Sequence, residues 1–345
     1  MTGIVTITGG WLADAVAQLQ TEAGARPTVV QDHRQIAGHG VCVRYADSEL
    51  ADLLGRSAGH LKHTPSDAPA LTIDCWIAPD PVLHLPPSDP AAGTTYADDG
   101  TTALTWDGPG GPLFAYDRTR RHGWARFAAP TGPPPWELAA PFSRILHWWA
   151  ADHGLQIAHA AAVGRATGGI LLVGPSGSGK STTALACLEA GLLFAGDDIC
   201  LLEAGHPPRV HGLYLSAKGD ANTASLLHGY RENFEQSLLN LRNKTILFAD
   251  DLRPESVVSG FPLLGVVVLQ LSPHTDSSLE PLNPAAVLRA VAPSSVMHTP
   301  GNYAAGLKRL ANIVRGLPAW ELTLGSDPAV AAVLIKELLD GQAGP

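Results

Sequence analysis

Two short stretches carry residue types that can do chemistry together. Residues 174–182 read GPSGSGKST and residues 192–200 read LLFAGDDIC. The first satisfies G-x-x-x-x-G-K-[ST]. It comprises the loop Gly174-Pro175-Ser176-Gly177-Ser178-Gly179 followed by Lys180, Ser181 and Thr182. Glycines let backbone N–H groups turn inward around phosphate oxygens, and a following helix N-terminus adds partial positive charge. In such a loop the lysine reaches the β- and γ-phosphates and the Ser181 hydroxyl ligates Mg²⁺. The predicted context fits, because the strand-like GILLV precedes the loop and the helical STTALACLEA follows it. A bound nucleoside triphosphate is the expectation.

The second stretch ends an apolar run with adjacent carboxylates, Asp197 and Asp198. Alone, Gly-Asp-Asp reads as a surface turn. Seventeen residues after a phosphate-binding lysine it reads differently. One helix, a glycine turn and a short strand fill that interval. In a doubly wound sheet this puts the pair at a strand's carboxyl end, where ligands bind. One carboxylate can hold Mg²⁺ and the other can take the proton of an attacking hydroxyl. A simple NTPase needs only a carboxylate for the metal and a group to position water. The doublet therefore leans toward transfer to an alcohol. His159, at the end of another strand-like run, can hydrogen-bond a γ-phosphate oxygen or steady the pair. Lys218 and Arg253 are candidates for offsetting charge on the migrating phosphoryl group. Ser216, Thr223 and Ser225 lie in a polar stretch able to bind or cover the acceptor, or to form a plain loop.

His159 with HAAAV, then GPSGSGKS, then GLLFAGDD resembles the catalytic core of the HPr kinase/phosphorylase family over about residues 157–202. The resemblance implies an α/β P-loop core of HPr kinase/phosphoenolpyruvate carboxykinase type. It implies that Asp197 is the general base, that Asp198 and Ser181 lie near Mg²⁺, and that His159 sits near the transferred phosphate. The EIRGxG-type signature of that family is missing, and RVHGLYLSAKGDANTASLL occupies its region. HPr-kinase-like enzymes found with lasso-peptide gene clusters are similar in layout, with a variable front domain, LHAAAV, a P-loop and DD. Those enzymes phosphorylate a serine of a precursor peptide. The expectation is thus an ATP- and Mg²⁺-dependent serine kinase acting on a peptide or protein. Oligomers are usual in the family, so a homo-oligomer stays open.

Three other readings stay open as well. In a conventional NTPase, ILFADD would be the metal-binding strand, with Asp250 or Asp251 on Mg²⁺. A nucleotide sensor would bind ATP without transferring phosphate. A small-molecule kinase or carboxykinase would need further Lys/His metal ligands and an arginine that no constellation supplies.

The elements that must position these residues come from a chain of 345 residues, 45% hydrophobic. That length accommodates one large core or two moderate ones. A formal net charge of −9 and the lack of any Lys/Arg run argue against nucleic acid as a partner. Cys42, Cys75, Cys187 and Cys200 form no CxxC pair, and Cys187 and Cys200, flanking the P-loop helix in apolar context, read as buried thiols of a reducing compartment. The start lacks a basic segment leading into an apolar one, and GFPLLGVVVLQL is too short to span a bilayer. A cytoplasmic protein without membrane contact is expected.

Seven of the eight tryptophans precede residue 150. Short β-type runs there are separated by turn-rich stretches such as LPPSDPAAG and WDGPGGP, the latter predicting a hairpin. Residues 1–130 are read as a small strand-rich α+β domain whose tryptophans are core residues. Residues 131–136 are read as a Pro/Gly linker and 137–345 as the P-loop catalytic domain. Within the latter, QIAHAAAVG and LLFAGDDICLL are each read as one strand-like run. The segment 328–340 is a helix opened by Asp327 and Pro328 and ended before Gly341.

Overall fold

The computed structural model describes residues 10–79, 94–237, 239–241, 243–272, 276–296 and 303–342. The turn-rich LPPSDPAAG lies outside them. The chain forms two compact units that divide after His153.

In the first unit, α1 (Trp11–Gly24) is followed by β1 (Val30–Ile36), β2 (His39–Tyr45), α2 (Ser48–Gly55) and β3 (Leu71–Ala78). Then come β4 (Thr95–Asp98), β5 (Thr102–Trp106), β6 (Leu113–Asp117), β7 (His122–Ala128), α3 (Pro135–Ala139) and α4 (Ser143–Asp152). The seven strands form one sheet in the order β1-β2-β3-β7-β6-β5-β4. Strands β2, β3 and β7 run parallel to one another, and the remaining pairs are antiparallel. The WDGPGGP stretch closes the β5–β6 hairpin, with Gly108 and Gly110 at positive φ. Leu12, Ala15, Val16 and Leu19 recur at helical spacing on α1 and pack on Trp76, Leu104, Leu113 and Trp124.

The boundary differs from the one read in the sequence. Residues 137–153 belong to the first unit, not to the P-loop domain. The reason is burial. Ile145 of α4 fills the space above Gly123, where a Cβ would meet its Cγ2 at 2.8 Å. Trp148 stacks near Tyr96, and Trp149 is fully buried. The proline-rich stretch is a corner within this unit, and Pro141 separates α3 from α4.

The second unit begins with β8 (Gln156–Ala158), β9 (Ala161–Arg165), β10 (Gly168–Val173), α5 (Lys180–Glu189), β11 (Leu193–Gly196) and β12 (Cys200–Glu203). It continues with β13 (Arg209–Gly212), β14 (Ser216–Gly219), α6 (Ala221–Leu226), α7 (Arg231–Gln236), β15 (Asn240–Leu241), β16 (Lys244–Phe248) and α8 (Ala249–Leu252). It closes with β17 (Gly260–Leu271), β18 (Ser278–Pro281), α9 (Pro284–Val296), α10 (Tyr303–Val314), β19 (Ala319–Leu324) and α11 (Pro328–Gln342). The main sheet runs β11-β9-β10-β17-β13-β12-β8, with β19 beside β17 and β18 beside β19. Strand β10 is buried along its whole length. Its Ile170 and Leu172 join one core with α5 and α11, whereas Leu171 and Val173 join another with α9 and α10. Helices thus cover both faces of a mixed sheet, the arrangement that apolar runs without alternation require.

This sheet is not the doubly wound one pictured from the sequence. Strand β9 lies between β10 and β11 and is antiparallel to both. The beginning of β9 therefore meets the ends of β10 and β11 at one edge. A separate three-stranded sheet, β14-β16-β15, carries Lys218 on one strand and Lys244 on the next. Among the described residues no helix is long and apolar enough to cross a membrane.

Candidate functional site

Both strand-like runs of the sequence break where the chemistry sits. QIAHAAAVG separates into β8 and β9 around His159 and Ala160, and LLFAGDDICLL into β11 and β12 around Asp197 and Asp198. Asp198 takes a left-handed backbone with φ 67°, a conformation aspartate tolerates better than most side chains. The register places these breaks together. Ala161 and Ala162 of β9 pair with Leu172 and Gly196 at the carboxyl ends of β10 and β11. His159, the loop after β10 and the aspartate pair therefore share one end of the sheet.

The loop between Val173 and Lys180 is shaped by its glycines. Gly179 caps α5 at φ 95°, and a Cβ there would lie 2.6 Å from Leu324 Cδ1. At Gly174 a Cβ would lie 2.5 Å from Ser178 Oγ. Ser176, Gly177, Gly179, Lys180, Ser181 and Thr182 line a cleft of about 440 Å³. Lys180 is 6% exposed, and its Nζ donates to the Gly174 and Pro175 carbonyls at 2.8 and 3.0 Å. Burial lowers its pKa against the pull of both aspartates. An ammonium held only by carbonyls is poised to exchange them for phosphate oxygens. Ser178 is buried in the loop. The Thr182 hydroxyl is 2.9 Å from that of Thr223 on α6.

The two aspartates stand in different surroundings. Asp197 is 1% exposed and its Oδ2 accepts from the Lys218 backbone N–H at 3.2 Å. Burial and the neighbouring Asp198 raise its pKa, against the Ser181 hydroxyl and Lys218. Among the described residues its Oδ1 has no hydrogen-bond partner. Asp198 lines the cleft. Its Oδ2 is paired with Lys218 Nζ, and its Oδ1 lies 3.3 Å from His159 Nε2. Burial opposes its ionisation, but Lys218 first and His159 next outweigh this and hold its carboxyl below the usual range. Environments that push two adjacent carboxyls apart mark them for different tasks.

Other expected residues fall elsewhere. Arg253 is not at the cleft. Its Nη2 donates to the Glu189 carbonyl at 3.1 Å and its Nη1 is 3.8 Å from Glu255. Glu189 ends the helix that Lys180 begins, roughly 14 Å away at 1.5 Å per residue. Asp250 and Asp251 sit on α8, after β16, in the sheet that does not contain the P-loop strand. They do not line the cleft, which removes the basis for reading ILFADD as the metal-binding strand. Of the polar trio, Thr223 lines the cleft, whereas Ser216 and Ser225 do not.

The sequence reading missed Lys244, Asp220 and Asn222 on the polar side of the cleft. It also missed Leu271, Leu324, Gly325 and Ser326 on the other side. Leu271 is 60% exposed, an apolar surface suited to the flat face of a base. None of these belongs to a motif, because sheet pairing alone brings them here. All four cysteines are free and buried.

The residues present fit a magnesium nucleotide. The cradle that Cβ atoms would fill is built of glycine, lysines flank it, and an ionised carboxylate faces it. No protein-family model and no curated protein matches the chain. Among solved structures, the HPr(Ser) kinase/phosphatase from Coxiella burnetii is similar at a TM-score of 0.31 and 12% identity. The match spans 55% of this chain and 99% of that one. A likeness this distant identifies no activity.

Proposed function

We propose that this protein is an ATP-dependent kinase that transfers the γ-phosphoryl group to a hydroxyl, the acceptor being a serine side chain of a peptide or protein. The observation that carries the reading is the aspartate pair. One carboxyl is proton-hungry and the other is held ionised, and both stand beside a phosphate cradle. Sensing or simple hydrolysis does not call for that division.

In this reading the loop amides and Lys180 hold the β- and γ-phosphates. Ser181 and Asp198 would hold Mg²⁺, which when bound neutralises phosphate charge. Asp197 takes the acceptor hydroxyl's proton. The new oxygen–phosphorus bond forms as the bond to the leaving ADP oxygen breaks in line. Lys218 and His159 keep Asp198 ionised and oriented. Most of the rate comes from positioning and charge stabilisation rather than covalent chemistry.

A reversed division of the two aspartates has one observation in its favour, since Asp198 and not Asp197 lines the cleft. The pH profile of kcat/KM separates the two. With Asp197 as base, an acid limb above the ordinary carboxylate range disappears in Asp197→Asn. With Asp198 as base, the limb lies below that range, survives in Asp197→Asn and disappears in Asp198→Asn.

The sequence layout favours a lasso-type precursor peptide ending in serine over HPr as acceptor. The test is intact-mass measurement after incubation with Mg·ATP and three acceptors: such a peptide, HPr and free serine. One added phosphate on the peptide's terminal serine supports the full reading. Phosphate on HPr alone replaces the acceptor. Nucleotide binding without transfer to any of the three defeats the kinase reading in favour of a sensor or NTPase.

A further inference from the structure

The cleft holds three lysines, Lys180, Lys218 and Lys244, and only the first two have partners in the arrangement described above. Lys180 donates to two loop carbonyls and Lys218 is paired with Asp198. The Lys244 side chain makes no hydrogen bond or ion pair among the described residues. Its placement is set by register. Strand β16 pairs antiparallel with β14, and Ile246 stands opposite Lys218. Side chains alternate along a strand, so Lys244, two residues before Ile246, shares the face of Lys218. The two ammonium groups thus enter the cleft from neighbouring strands, diagonally related. The Thr223 N–H first, then its hydroxyl and Lys244, favour the ionised form of Asp220, whose Oδ1 accepts from that N–H and hydroxyl at 2.9 and 3.0 Å. Lys244 thus lines the same cleft as Lys180 with no hydrogen bond or ion pair of its own among the described residues, and its ammonium is available to an anion held there.

We infer that Lys244 is a catalytic cation that contacts the phosphoryl group in transfer, the role for which the sequence had offered Arg253. The inference rests on the nucleotide-binding part of the proposed function. Lys180 approaches the phosphates from the loop and Lys244 from β16, so the group between them gains a positive partner on each side. Such a partner matters most as charge shifts during transfer, and removing one preorganised donor typically costs about 10²–10³ in rate.

The experiment uses the full chain with Lys244→Met, which keeps an aliphatic stem, and Lys244→Arg, which keeps the charge. Affinities for Mg·ATP and for Mg·ADP with aluminium fluoride, a mimic of the group in flight, are measured by calorimetry beside turnover. For Lys244→Met the expected result is Mg·ATP affinity within about threefold of the unsubstituted chain, with analogue affinity and turnover lower by about 10²-fold. Lys244→Arg should recover part of both. Unchanged analogue affinity and turnover in Lys244→Met would overturn the role. So would equal losses for ATP and the analogue, which would make Lys244 a general phosphate tether. If the unsubstituted chain binds neither nucleotide species, the proposed function fails and this inference with it. Binding of both, unaltered in Lys244→Met, sinks the Lys244 role alone.

Discussion

The two units place charges among buried surfaces in opposite ways. In the first, several cations are matched one by one. Arg144 forks onto both oxygens of Asp107 at 2.9 Å. Arg118 does the same to Asp98 at 3.0 and 2.8 Å. Arg44 and His122 share Asp74, and together they overcome burial to lower its pKa. At one sheet end of the second unit, Asp198 is matched by Lys218 and His159, but the charges around it are not matched in this way. Lys180 rests on carbonyls, and Asp197 is buried against another aspartate. Matched pairs hold a structure together, whereas mismatched charges store a demand that a ligand answers. The same residue types thus serve a scaffold in one unit and, in the function proposed above, chemistry in the other.

The largest way to break this contrast is Lys180→Ala. It should weaken Mg·ATP binding by roughly ten- to hundredfold, the worth of a charged hydrogen bond at about 1.5–3 kcal/mol. Calorimetry measures it, and an unchanged affinity would mean the loop does not hold phosphate. Next comes Arg144→Ala, which strips Asp107 of its bidentate partner. It should cost about 1–3 kcal/mol and lower the first melting transition, with ATP affinity unaltered. A loss of nucleotide binding instead would blur the line between scaffold and site.

Glu137 tests the same idea by pH. Burial pushes its carboxyl up to about 7 against the Phe142 N–H that it accepts. The folded chain therefore keeps a proton that the unfolded chain releases from about pH 4.5 upward. Stability must fall as pH rises from there to about 7 and then level off. Glu137→Gln should flatten that slope in melting curves recorded from pH 5 to 8, and an unaltered slope would assign it to other groups. The smallest effect belongs to Arg253→Ala. Its guanidinium caps the far end of α5, so turnover should stay within about threefold while Tm drops by roughly 2–4 °C per kcal/mol lost.

How much of this was legible in the sequence depends on whether a neighbour in space is a neighbour in the chain. The strand, glycine loop and helix from 168 to 189 are local, and residue type alone predicts them. So does the helix opened by Asp327, whose Oδ1 accepts from the Ala329 N–H at 2.8 Å. The aspartate pair and His159 were visible as chemistry but not as breaks in strands. The apolar pattern runs straight through QIAHAAAVG and LLFAGDDICLL, and only sheet register shows where each run turns. The insertion of β9 beside the P-loop strand was illegible for the same reason. Arg253 looked promising because it follows a second pair of aspartates, yet its helix end lies away from the cleft. Lys244 had no motif to announce it, and pairing with β14 alone brings it in. The unit boundary was misplaced because proline marks a corner as readily as a linker. The apolar face of α4 then had to bury itself on the first sheet.

The central claim is that the aspartate pair divides into a proton acceptor and a fixed anion for phosphoryl transfer. The most direct measurement pairs Mg·ATP affinity with single-turnover transfer in the unsubstituted chain and in Asp197→Asn. The account predicts ATP affinity within about threefold and transfer lower by about 10²–10⁴, the worth of a general base. Removing that buried charge should also raise Tm at neutral pH, because burial disfavours ionised Asp197. Transfer by Asp197→Asn at the rate of the unsubstituted chain would contradict it.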